Sequence, residues 1–312
     1  MTVRDLLYRI SQKAAYHLAT DDVKKRIAEI NRTRKIITSY GDEFEVEGSS
    51  LQFKTPNHAF LLYGMDLFTR LLRQAHLSFQ ILDECLICRT NGVLIPVTTN
   101  EELFILNEIW VNGCYNVIPK TNKPLVVIDV GMNVAYASLF FSSQPFVSKV
   151  YAFEPFQPTY KQGLVNLGHN AHLLPKIQTH NFGLSRAHTV LEVDYSPEHR
   201  GRAGIWGTEL VLEKIGQKNR EKVELRPFNS VVRAIMENCP GHDFLWKIDC
   251  EGSEYNIFEG IDPFLYENTR HILMEWHKQG PNSLVTELRN NGFAILSMSP
   301  NSQKVGMIYA FK

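Results

Sequence analysis

The chain has 312 residues, 44% hydrophobic and 21% charged, which supplies a sizeable core and excludes wholesale disorder. Its 33 Lys and Arg balance 33 Asp and Glu, so a nucleic-acid partner held mainly by bulk charge is excluded. The strongest apolar runs, AFLLY at 59–63 and SLFF at 138–141, fall far short of the ~20 apolar residues of a spanning helix, and no membrane span is expected. Arg4, Asp5 and Arg9 interrupt any signal-peptide core, and five cysteines form no secreted disulfide framework, so a cytoplasmic chain is expected.

In chain order, Val3, Leu7, Ile10 and Ala14 recur at helical spacing, and Val23, Ile27, Ile30 and Ile37 predict a second helix capped by Thr20 and Asp21 and ended by Gly41. Nine bases against four acids between Arg4 and Lys35 read as a solvated outer face. A third helix is predicted over 57–75, with Phe60, Leu61, Gly64, Leu67, Phe68, Leu71 and Leu72 inward. Residues 1–85 therefore read as a helical accessory region, and its wide apolar stripe predicts a homodimer.

ECLICRTNGVLIPV at 84–97 predicts two strands turning at Asn91 and Gly92, with Cys85 and Cys88 as buried thiols. A helix follows over 101–113. Beyond it, strands at 125–130, 149–153, 176–182, 243–249 and 271–276 alternate with helices at 133–143, 157–168, 230–238, 253–260 and 282–290. That alternation makes a doubly wound α/β sheet. The final strands, 294–299 and 305–311, lie too close for a crossover helix and predict an antiparallel hairpin at the sheet edge.

In such a sheet the ligand crevice lies at the carboxyl ends of the strands, where Asp129, Gly131 and Asn133 fall. Met132 and Asn133 break the GxGxxG pyrophosphate fingerprint, which disfavours a nicotinamide dinucleotide. Glu154 ends the next strand, where a carboxylate can accept both hydroxyls of a ribose, so an adenosine-type cofactor is expected. Asp249, Glu251 and Glu254 crowd the end of a central strand, with Glu275 and His277 beside them. These groups can deprotonate a nucleophile, stabilise a cationic donor or ligate a hard divalent metal; no close ligand spacing demands a metal, and none is assigned. His277, as a neutral imidazole, is a candidate general base. The competing readings are a helix cap for Asp249 and an ordinary loop histidine for His277. The polar, glycine-dotted stretch from Asp194 to Lys222, around His199 and Trp206, reads either as an active-site cover or as a solvated loop with one packed tryptophan.

DVGMN at 129–133, AFEP at 152–155 and KIDCEGSE at 247–254 resemble the signature blocks of the FkbM family of S-adenosylmethionine-dependent methyltransferases, and the helix at 100–113 resembles the one preceding the family's core. The resemblance covers 86–312, with a cofactor-binding core from about 121, and implies a seven-stranded class I (Rossmann-like) sheet with its last strand antiparallel. It implies that Asp129, Gly131 and Asn133 surround the amino-acid part of S-adenosyl-L-methionine, that Glu154 holds the ribose, and that Asn181 and Phe182 lie where the adenine rests. Asp249, Glu251 and His277 are the candidate catalytic residues. Ala135 stands where the family has a further glycine; a methyl there either crowds the cofactor or favours the first helical turn. The expected activity is O-methylation of a small-molecule, sugar or natural-product acceptor. The alternatives are N-methylation of a peptide side-chain amide, or a catalytically weak cofactor-fold protein with a scaffolding role.

Overall fold

The computed structural model describes residues 24–32, 37–40, 43–55, 57–117, 122–195, 219–298 and 304–312. The chain divides into two compact units, one ending at Asn112 and the other running from Gly113 to Lys312. The helix expected over 3–18 lies outside the described residues.

In the first unit a helix at 24–32 gives way to an antiparallel sheet of β1 (Ile37–Tyr40), β2 (Glu43–Val46) and β3 (Gln52–Lys54). Ile37, expected at the end of the helix, instead pairs with Val46. The β-branched run at 36–38 prefers a pleated surface, and the Asn31 side chain takes the Ile37 N–H at 2.8 Å where helix gives way to strand. The helix expected over 57–75 is two short ones, Phe60–Tyr63 and Met65–Leu71, broken at Gly64. A Cβ at Gly64 would stand 1.9 Å from Asn100 Oδ1, so the break admits that side chain. Leu61, Phe68 and Leu71 are fully buried, and Phe68 packs edge-on against Phe53 and Phe79. The stripe expected to hold a second subunit is thus largely spent inside one chain.

β4 (Ser78–Leu82), β5 (Cys85–Thr90) and β6 (Val93–Val97) form a second antiparallel sheet. A boundary at 85 would separate two hydrogen-bonded strands of it. Asn91 (φ 47°) and Gly92 (φ 78°) both take the left-handed backbone that a two-residue hairpin turn demands. Cys88 is buried, Cys85 is half-buried, and all five cysteines are free thiols. Thr99 and Glu102 cap the helix Asn100–Leu106 reciprocally, a motif of about 1 kcal/mol. That helix continues as a π turn, Asn107–Val111, and stops before Gly113 (φ 68°).

The second unit is built on a seven-stranded sheet. Its strands are β7 (Leu125–Val130), β8 (Val147–Phe153), β9 (Ile177–His180), β13 (Asp243–Ile248), β14 (Thr269–His277), β15 (Ala294–Met298) and β16 (Val305–Phe311), in the order β15-β16-β14-β13-β7-β8-β9. β14, β13, β7, β8 and β9 are mutually parallel, and β16 runs antiparallel between β14 and β15. This is the doubly wound topology expected from the sequence, terminal hairpin included. β7 is buried at every position, because a parallel sheet is covered on both faces. Trp246 on β13 is fully buried, with the Phe228 ring edge-on at 5.0 Å and the Tyr266 ring tilted at 5.7 Å.

A smaller sheet joins β10 (Gly183–Ser185), β11 (Thr189–Tyr195) and β12 (Asn219–Pro227) in the order β10-β12-β11. The stretch expected to be a loop cover is therefore strand at both ends, Asp194 pairing with Arg220 and Tyr195 with Asn219. Its middle, with His199 and Trp206, lies outside the described residues.

Candidate active site

Because β14, β13, β7 and β8 are parallel neighbours, their carboxyl ends deliver His277, Asp249, the 129–135 segment and Glu154 to one side of the sheet. The turn after β7 is held by the N–H groups of Gly131 and Met132, which donate to the Phe153 carbonyl at 3.0 and 2.9 Å. Gly131 has φ 83°, and a Cβ there would stand 1.8 Å from the Asp249 carbonyl oxygen; the two loops touch because it has none. Glu154 closes the other side, accepting the Asn133 N–H at 2.9 Å and the Phe156 N–H at 3.0 Å. Burial pushes its pKa up to about 7 against the pull of those two bonds.

Together these loops line an open cleft. Gly131, Asn133, Glu154, Asp249, Cys250 and Glu251 supply its polar wall, and Phe153, Phe156, Leu184 and Leu225 its apolar one. Asn133 Oδ1 is buried without a hydrogen-bond partner among the described residues.

The Asp129 carboxylate stands behind the cleft rather than in it: it is fully buried, accepting the Ser138 hydroxyl at 2.5 Å and lying 3.2 Å from the Lys247 ammonium. Lys247, the first residue of the KIDCEGSE block, has no role assigned from the sequence. Its Nζ also donates to the Gly131 carbonyl at 2.6 Å and sits 3.6 Å from Asp249 Oδ2, so it ties β7, the glycine turn and β13 together. Burial alone would lower the Lys247 pKa; the Asp129 and Asp249 carboxylates outweigh it and hold the ammonium charged. Asn181 is exposed, its amide donating to the Glu154 and Pro155 carbonyls, and Phe182 lies under the Arg226 guanidinium at 4.0 Å. Neither residue lines the cleft.

His277 differs from the neutral base expected of it. Its Nδ1 lies 3.0 Å from Glu254 Oε1, a fully buried carboxylate that also accepts the N–H groups of Cys250 and Gly252. Burial pulls the imidazole pKa down, but the Glu254 bond and the Glu254, Glu251 and Asp249 charges raise it to about 9. At neutral pH it is an imidazolium. Glu251 holds a left-handed backbone (φ 54°), and burial, then the Asp249 charge, raises its pKa to about 7. Buried Tyr115, also without a role from the sequence, is near enough to Asp249, Asp129 and Glu275 that their charges add to the upward effect of burial on its phenol.

Ala135 is left-handed as well, at φ 69° and ψ 17°, so it caps the helix Tyr136–Ser142 instead of lengthening it, and alanine's helix propensity gives it no advantage there. Replacing it by Gly relieves about 1 kcal/mol of backbone strain, offset by about 0.8 kcal/mol of lost methyl burial and the looser unfolded chain. Ala135→Gly is expected to leave the urea unfolding free energy within about 1 kcal/mol of the parent. A loss above about 2 kcal/mol would show that the methyl is a packing element.

The sequence profile of the methyltransferase FkbM domain matches residues 129–295, more than half of the chain. The chain belongs to this family. Methyltransferase sdnD of Sordaria araneosa is 27% identical over 62% of this chain and 83% of its own length. Methyltransferase 1 of Beauveria bassiana is 24% identical over 66% and 86%. The AMB antimetabolite synthetase AmbE of Pseudomonas aeruginosa is 25% identical over 63% of this chain and 11% of its own. The matched FkbM segment lies inside the second compact unit and spans the cleft residues from the glycine turn to Glu251.

Proposed function

We propose that this FkbM-family transferase uses S-adenosylmethionine and methylates an oxygen of a small-molecule acceptor. When bound, that cofactor supplies an electrophilic methyl on a sulfonium. The observation carrying the reading is the orphaned Asn133 Oδ1 in the same cleft as Glu154: a buried acceptor lacking a donor, suited to the cofactor's ammonium, beside a carboxylate suited to its ribose hydroxyls. The apolar wall of Phe153, Phe156, Leu184 and Leu225 supports an adenine resting there rather than on Asn181. Asp129 and Lys247 hold the turn that does the binding. Asp249 and Glu251 face the cleft, where they stabilise the sulfonium and orient an acceptor hydroxyl. Glu251, near pKa 7, accepts the proton that hydroxyl loses. His277 acts through Glu251 and Glu254 as a positioning residue. The antimetabolite synthetase among the relatives supports an acceptor drawn from biosynthetic small molecules.

Glu154 must be ionised to accept both ribose hydroxyls. With its pKa at about 7, calorimetric affinity for S-adenosylhomocysteine is expected to rise about tenfold from pH 6 to pH 8, following the ionised fraction. Glu154→Gln should flatten that profile. A parent profile already flat would remove Glu154 from the ribose. The acceptor class is tested with ¹³C-methyl cofactor and pools of glycosides, hydroxy acids and amide peptides. A methyl carbon at an O–CH₃ shift supports the reading, and label found on nitrogen alone overturns it.

A further inference from the structure

Asp249, Glu251 and His277 present one donor atom each within 4.8 Å of one another, and Asp249 and Glu251 line the cleft. One of them is nine-tenths buried: the His277 side chain is only 8% exposed. Its Nδ1 is committed to Glu254, and its Nε2 makes no hydrogen bond among the described residues, the nearest carboxylate oxygens standing at 3.6 Å (Glu251) and 4.0 Å (Glu275). A histidine held by a buried carboxylate on one nitrogen, with the other turned toward two carboxylates, is the orienting arrangement that metal-ligating imidazoles use. Glu254 also keeps its Oε2 buried and unbonded among the described residues, which concentrates negative charge at the cluster. Of the ammonium groups near the cluster, Lys247 is shared with buried Asp129, and Lys278 acts on Glu251 through its charge.

We propose that Asp249, Glu251 and His277 bind a divalent cation, which displaces the imidazolium proton from His277 Nε2 to solvent, with Glu254 orienting the imidazole. One nitrogen and two carboxylate donors favour a first-row transition ion such as Mn²⁺ over Ca²⁺, and three protein ligands leave positions for acceptor oxygens. This rests on the methyl-transfer reading and narrows its acceptor to one offering two adjacent oxygens, such as a vicinal diol or an α-hydroxy acid. Ligation lowers the pKa of the bound hydroxyl. Its oxygen lone pair then forms the bond to the methyl carbon, the C–S electron pair stays on sulfur, and the proton passes to the Glu251 oxygen not on the metal.

The test is Mn²⁺ binding to the full chain, read from loss of the free-ion EPR signal, beside S-adenosylhomocysteine calorimetry on the same samples. One Mn²⁺ per chain is expected, with affinity falling about 10–100-fold in Glu254→Gln and at least as far in Asp249→Asn and His277→Gln. A far-ultraviolet circular dichroism spectrum like the parent's and cooperative urea unfolding show that each variant is folded. A parent that binds S-adenosylhomocysteine but takes up no Mn²⁺ at millimolar concentration overturns the proposal, as does Mn²⁺ affinity unchanged in all three variants. Mn²⁺ binding at the triad without any S-adenosylhomocysteine binding would leave the metal site standing and refute the cofactor reading instead.

Discussion

Replacing Lys247 by Met is expected to lower the unfolding free energy by about 3–5 kcal/mol, the cost of leaving a buried carboxylate without its counter-charge. The Asp129 side chain is fully buried, and beyond Lys247 it has, among the described residues, only the Ser138 hydroxyl to accept from. The same change deletes the bond to the Gly131 carbonyl, so the turn that shapes the cleft loosens along with the core. Urea denaturation gives the stability, and S-adenosylhomocysteine calorimetry the second effect. Adding Asp129→Asn should recover part of the loss, since a neutral amide no longer needs the ammonium. A single-variant loss below about 1 kcal/mol would mean that Asp129 finds another partner or water when Lys247 is gone.

Gly131→Ala should be nearly as severe. The new methyl would meet the Asp249 carbonyl oxygen at 1.8 Å, and φ is 83°, so steric and conformational costs fall on the same residue. Left-handed backbone costs about 1–2 kcal/mol and overpacking about 1–3 kcal/mol more, for a total of roughly 3 kcal/mol. A backbone carbonyl cannot swing aside like a side-chain tip. The loop must move, and with it Asn133 and the Asp249 edge of the cleft; affinity for S-adenosylhomocysteine should fall at least tenfold. Stability within about 0.5 kcal/mol of the parent together with unchanged affinity would refute the close loop contact. Ala135→Gly, a few residues on, changes the same type of backbone in the relieving direction and is expected to be nearly silent.

Most of the second unit was legible in the order of its residues. Continuous apolar runs such as LVVIDV can only be strands covered on both faces, and helices of the right length lie between them. The short spacing before the last strand forces an antiparallel return, and β16 makes it. The first unit was less legible. Ile27, Ile30 and Ile37 fit a helical period, but Ile37 pairs across a sheet with Val46, a partner that no local pattern names. The helix expected over 57–75 is interrupted at Gly64, where the space a Cβ would need is filled by Asn100, a residue far along the chain.

The sequence by itself determined the sheet topology, the Asn91-Gly92 turn, the chemistry-bearing strand ends and the family, because each follows from local spacing, special backbone residues or signature blocks. Charge state and contact were decided by the tertiary structure. Asp129 and Lys247 lie far apart along the chain, and only strand pairing between β7 and β13 makes them an ion pair. His277 looks like a neutral base when taken alone; Glu254, brought to it by the turn after β13, makes it a cation. Asn181 looks available for a ligand until the fold commits its amide to two carbonyls. Spacing along the chain places a side chain at a strand end, but its protonation and partners depend on which other strand ends are packed beside it.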